Sequence, residues 1–153
     1  MAGPYEYTPY LWLVLISAVF LAVVGVFAFR HRPAPGAVPF SIVMGLGVLW
    51  VLATGLGMAA ADETTKIFWF QFETAFMLPI ATAGLWGTLE YAGLGKWLTR
   101  RLMVLLAITP LVFVPLIFTN ETHHLVMTRI WFDGHIRADF GPLAWAGIVY
   151  GYF

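Results

Sequence analysis

Tyr10 to Phe29 reads YLWLVLISAVFLAVVGVFAF, twenty residues without a charge. A helix needs about 20 mostly apolar residues to cross roughly 30 Å of hydrocarbon, so this run alone reads as a membrane span. It is longer than the apolar core of a secretory leader and has no basic stretch before it. Arg30-His31-Arg32-Pro33 stand where a small-residue cleavage site would have to be. The segment is therefore expected to be a retained helix.

Working outward from it, the same criterion finds further runs. Pro9 to Phe29 closes on Arg30 and Arg32. Pro39 to Ala61 follows the turn-forming Pro33-Ala34-Pro35-Gly36 and stops before Asp62-Glu63. Ile67 to Tyr91 begins near Trp69 and ends at Glu90, with Lys96 beyond. Leu102 to Thr119 starts after Arg100-Arg101 and ends at Asn120-Glu121, and a polar segment reaches Asp139. Gly141-Pro142 then opens another apolar stretch, with proline placed for the first turn of a helix. From Leu143 to Phe153 it is too short to cross a bilayer at 1.5 Å per residue. The expected fold is an all-α integral membrane bundle. It is one transmembrane domain over residues 1–153, with spans near 9–29, 39–61, 67–91 and 102–119 and the start of a fifth at 141–153. That pattern reads as the front part of a longer protein.

Composition agrees. Hydrophobic residues make up 61% of the chain and charged ones 10%, against about 45–50% and about 25% in soluble domains. The formal net charge is zero and no basic stripe is present, which excludes nucleic acid as a partner. Cysteine is absent, so disulfides, thiolate metal sites and cysteine nucleophiles are excluded too.

Basic residues in short loops set orientation. Arg30 and Arg32 follow the first span, and Lys96, Arg100 and Arg101 follow the third, which places both loops on one side. The opposite loops hold Lys66, Arg129 and Arg137 among Glu6, Asp62, Glu63, Glu121, Asp133 and Asp139. The N-terminus is expected outside. Tyr5, Tyr7, Tyr10, Trp12, Trp97 and Trp131 fit aromatic belts at the two interfaces.

Glu73 is the acidic residue well inside a span, roughly 10 Å along its helix from Lys66. An ionisable group at that depth is costly and marks a candidate site. It lies near the outer headgroup level, or is neutral and hydrogen-bonded to a neighbouring helix, or is a pocket-lining or proton-sensitive residue alongside Trp69 and Gln71. Trp69, Glu73, Met77 and Ile80 are expected to share a helix face as a stripe, one that is more often packing than a binding site. His123 and His124, with Glu121 before them and His135 after, form the richest polar cluster. Adjacent histidines do not share a helix face and no His-x-x-x-His spacing exists, so no metal is assigned. A structural role and a pH- or ligand-responsive one remain open. Asn120-Glu121-Thr122 matches a glycosylation sequon. Pro79, Pro110 and Pro115 interrupt their helices, and Gly45-Leu46-Gly47 and Gly55-Leu56-Gly57 permit close helix approach. No phosphate-cradling loop, nucleophile elbow or HExxH motif is present. The chain itself is expected to be no enzyme and to hold no cofactor.

The order of several strings resembles the N-terminal seven-helix membrane region of bacterial and archaeal sensor histidine kinases. They are Pro35-Gly36-Ala37-Val38-Pro39-Phe40, Lys66-Ile67-Phe68-Trp69-Phe70, Gly95-Lys96-Trp97-Leu98-Thr99-Arg100-Arg101, Thr119-Asn120 with His123 and His124, and Gly141-Pro142-Leu143-Ala144-Trp145. The resemblance covers essentially the whole chain and implies a sensory input module of a two-component system in the inner membrane of a prokaryote. Further spans and cytoplasmic kinase domains would follow, with a homodimer formed through them and a response regulator as partner. None of the four histidines lies in a phospho-acceptor helix, so no catalytic residue is carried over. Trp69, Glu73, Asn120, His123 and His124 are the candidate stimulus contacts. The alternative is a small accessory subunit of a larger membrane complex, in which His123 or His124 would ligate a pigment or haem. A transporter half is disfavoured because paired intramembrane charges and a repeat are missing.

Overall fold

The computed structural model describes residues 4–152. Its elements run α1 (Leu11–Arg30), α2 (Ala37–Ala59), α3 (Glu63–Tyr91), a 3-10 turn (Gly95–Trp97), α4 (Arg100–Phe118), the single turn α5 (Asn120–His123), β1 (Met127–Phe132), β2 (Ile136–Phe140) and α6 (Pro142–Tyr152). Each helix except the turn α5 falls within a few residues of its expected run. Phe153, where the fifth run was expected to end, lies outside the described residues. Among the described residues three helices, α1, α2 and α4, are long and apolar enough to cross a membrane. The longest, α3, has 29 residues, or about 44 Å at 1.5 Å per residue, but Gln71, Glu73 and its threonines dilute its apolar character.

Helices pack in chain order, α1 on α2, α2 on α3 and α3 on α4, while α6 docks on α3. The first contact is close because Gly55 carries no side chain. A Cβ there would lie 2.6 Å from Val14 Cγ1, so of the two small-residue strings this one sets the α1–α2 approach. Trp12, Ile16, Phe20 and Phe27 on the far side of α1 are more than half exposed, as suits a face turned to lipid.

The all-α expectation fails at residues 127–140, which form an antiparallel β-hairpin pairing Phe132 with Ile136 and Arg129 with Asp139. The cause is local. Thr128, Ile130, Trp131 and Phe132 favour a pleated surface, and Gly134 supplies the left-handed φ of +69° at the turn. Nor is the hairpin an isolated flap. Val126 and Met127 are buried with Ala75 of α3, Ile117 of α4 and Ala144 of α6, so a buried apolar cluster lies where the hairpin meets the helices.

The gap left by Pro110 of α4 has a partner in α6. In a regular helix the N–H of residue 110 would donate to the carbonyl of Leu106, and Pro110 has none. The Tyr150 hydroxyl donates to that carbonyl instead, at 3.0 Å, and lies 2.8 Å from Thr82 Oγ1 of α3. One phenol thus joins three helices.

The bundle has two chemically distinct ends. At the hairpin end the chain start lies along the end of α2, Glu6 N–H donating to Ala59 O at 2.7 Å and Ala61 N–H to Pro4 O at 2.8 Å. Here too Lys66 lies 4.6 Å above the Phe132 ring. At the other, basic end, Gly36 N–H donates to Glu90 Oε2 at 3.0 Å, which ties the α1–α2 loop to the close of α3.

Candidate functional site

Trp69 and Glu73 sit one helical turn apart on the side of α3 that meets α2. Thr54 of α2 donates its hydroxyl to Glu73 Oε1 and lies within hydrogen-bond distance of the Trp50 carbonyl in its own helix, at 3.1 Å. The Trp69 indole N–H donates to the Tyr5 hydroxyl at 3.0 Å, and Tyr5 is held there by its bridge to Ala60. The site therefore has two members that reasoning from sequence did not place in it. Tyr5 was read only as an interfacial aromatic. Thr54 is the sole hydroxyl in the second half of α2, which was the available signal.

The expected Trp69, Glu73, Met77 and Ile80 stripe does not hold as one contact face. Eight residues at about 100° each rotate the helix surface by about 80°, and Met77 is 59% exposed. Gln71 does not join Trp69 either. It is buried, and its Nε2 has no hydrogen-bond partner among the described residues.

Asn120, 3% exposed, uses both ends of its amide on the backbone ahead of β1. Its Oδ1 accepts from Val126 N–H at 3.1 Å and Met127 N–H at 2.9 Å, while its Nδ2 donates to Met127 O at 2.8 Å. A side chain so enclosed cannot accept a glycan in the folded protein, which removes the sequon reading. His123 is similarly engaged. Nδ1 accepts from Leu125 N–H at 3.0 Å, which leaves the ring proton on Nε2, facing Thr119 Oγ1 at 3.3 Å. His124 caps the short α5 turn with φ of 50° and is exposed. Among the described residues no three His, Asp or Glu side chains gather to hold a metal.

The five candidates thus fall into two groups, Trp69 with Glu73 and Asn120 with His123 and His124. Between them lies an aromatic path. Trp69 packs on Phe68 and Phe72, with centroids 5.2 and 5.5 Å away, and both of those rings lie within 6.4 Å of Phe118, two residues before Asn120. Elsewhere an apolar groove of about 550 Å³ opens between α2, α3 and α4, lined by Leu46, Trp86, Leu106 and Pro110 among others.

Compared with known families, the chain matches over residues 13–153 the family described as the N-terminal 7TM region of histidine kinase. The chain belongs to this family. Neither the curated proteins nor the solved structures include a match. All the strings that carried the resemblance fall inside the matched range, from Pro35-Gly36 to Ala144-Trp145. Histidine kinases are enzymes as whole proteins, and the part represented by these residues is the membrane region rather than a catalytic domain.

Proposed function

We propose that this chain is the membrane-embedded input module of a two-component sensor histidine kinase, multi-pass in the inner membrane of a prokaryote. In this reading α1 to α4 are four full spans, α6 begins a fifth, and the hairpin end faces outside. Charge supports that orientation. Arg30, Arg32, Lys96, Arg100 and Arg101 crowd the basic end, and the hairpin end carries more acids than bases. The third span is feasible despite Glu73 because that carboxyl is met by Thr54 rather than by lipid.

The observation that carries the reading is the Thr54–Glu73 hydrogen bond across the α2–α3 interface, deep in a helix pair and one turn from Trp69. A stimulus can shift such a bundle only by binding one packing arrangement more tightly than another. A ligand that competes with Thr54 for Glu73 would do this. The Phe68, Phe72 and Phe118 cluster connects that exchange to the loop organised by Asn120 and His123, and His124 is the exposed contact beside it. The output is autophosphorylation in kinase domains of the same protein, arranged as a homodimer, with transfer to a response regulator.

The test is phosphate incorporation from ATP by the kinase bearing this region, in membrane vesicles. Glu73→Gln and His123→Ala should both insert normally and change the phosphorylated fraction severalfold. Native phosphorylation in both variants would overturn the assignment of these residues.

A further inference from the structure

We infer that the groove between α2 and α3 at the basic end is a binding site for one anionic phospholipid. Its acyl chain lies in the groove and its phosphate among the arginines and lysine of the two adjoining loops. The inference is independent of any sensory role.

The groove holds about 470 Å³ and is lined by Phe40 and Val43 of α2 and by Ala83, Gly84, Gly87 and Tyr91 of α3, with Pro35 and Gly36 at its mouth. It exists because two helical positions lack side chains. A Cβ at Gly84 would meet nothing within 4 Å, and one at Gly87 would only touch Pro39 at 3.5 Å. Every lining group but Thr88 and the Tyr91 hydroxyl is apolar, and the lining runs from the loop level down to Val43 and Ala83, two turns into the helices. That shape and chemistry suit a hydrocarbon tail entering from the level of the headgroups.

The loops at the mouth supply the headgroup's complement. Arg32 lies just before Pro35, and Lys96, Arg100 and Arg101 follow Tyr91; all four are exposed. From Phe27 to Phe40 and from Trp86 to Val104 the sequence has one acid, Glu90. Its two oxygens accept from Trp86 Nε1 at 2.7 Å and from Gly36 N–H at 3.0 Å, and it is a single acid set against the four bases. The Arg32 guanidinium carbon lies 5.9 Å from the centre of the Phe29 ring at the end of α1. A mouth with an excess of positive charge, above an apolar slot, fits a lipid with a negative headgroup rather than a zwitterionic one.

Native mass spectrometry of the 153-residue chain, released from nanodiscs of equimolar phosphatidylglycerol and phosphatidylcholine with identical tails, reads the retained lipid directly. Phosphatidylglycerol should be retained roughly fivefold or more over phosphatidylcholine, as expected from one or two effective basic contacts. Replacing Arg32, Lys96, Arg100 and Arg101 together by Gln should bring the ratio near one, whereas Arg129→Gln with Arg137→Gln at the hairpin end should leave it unchanged. Gly84→Leu should fill the slot and lower retention of both lipids. Thr88→Leu, at an exposed lining position, repeats the test if that variant does not fold. Equal retention of the two lipids by the native chain would overturn the inference. So would phosphatidylglycerol retention undiminished by the filled slot, or enrichment lost equally at the hairpin end.

Discussion

Glu90 receives the backbone N–H of Gly36 at 3.0 Å across 54 residues of sequence, and so joins the α1–α2 loop to the end of α3. Its other oxygen accepts from the Trp86 indole at 2.7 Å. Gln is therefore not a conservative replacement. Its amide has one acceptor for two donors, and the NH₂ would face one of them. Glu90→Gln is expected to cost about 1–3 kcal/mol, read as an earlier midpoint in denaturing-detergent titration. Gly36→Ala should cost about 1–2 kcal/mol at the same readout, since φ is +80° there.

Asn120 is expected to be the most sensitive of the polar residues at the hairpin end. Asn120→Ala strands Val126 N–H, Met127 N–H and Met127 O in a buried setting, for a loss of about 3 kcal/mol or more. Asn120→Asp keeps the two acceptor contacts and sets a carboxylate oxygen against the Met127 carbonyl, so an intermediate loss is expected. Hydrogen exchange at Val126 and Met127 would register both. Unchanged protection in Asn120→Ala would refute the role.

If Tyr150 replaces the donor that Pro110 lacks, the two residues must couple energetically. Tyr150→Phe leaves Leu106 O without its hydroxyl donor and should cost about 1–2 kcal/mol. In a Pro110→Ala background the backbone N–H returns and most of that loss should vanish. A double-mutant cycle reads the difference as a coupling energy, and additive effects would rule out the substitution of one donor by the other.

Acid should loosen the start of α3. The Asp62 carboxyl caps that helix, accepting from Thr65 N–H at 2.8 Å and from the Thr65 hydroxyl at 2.9 Å. Those bonds hold it below its ordinary value of 3.8. Because the folded value is the lower one, the contribution is present above the unfolded value and is lost as pH falls through the folded value. The Thr65 amide resonance should titrate with a midpoint under 3.8. Asp62→Asn should remove that titration while retaining the cap, and Asp62→Ala should remove both.

Legibility from sequence tracked the range of the interactions. Apolar runs bounded by Arg30, Asp62 and Arg100 gave helix positions to within a few residues, since hydrophobic length and terminal charge are local properties. The 127–140 segment was read only as polar, because a two-stranded pairing is visible in sequence mainly through alternation, and its exposed residues blur that pattern. Among the site candidates, Glu73 stood out because a carboxylate inside an apolar run is anomalous on its face. Thr54 and Tyr5 did not, because neither residue is unusual until the fold brings it to Glu73 or Trp69.

By itself, then, the sequence determined that this is a helical membrane chain with its positive charge gathered at alternate loops, and the order of its strings carried the family. The first conclusion rests on hydrophobicity and charge summed along the chain, which no tertiary contact can change, and the second on a resemblance between ordered strings. Only the tertiary structure decided that Asn120 is enclosed while His124 is exposed, that Gln71 turns away from Trp69, and that Tyr150 serves the carbonyl orphaned by Pro110. Each of these depends on direction. A hydrogen bond forms or fails within a few tenths of an ångström, and the packing of distant segments sets that distance.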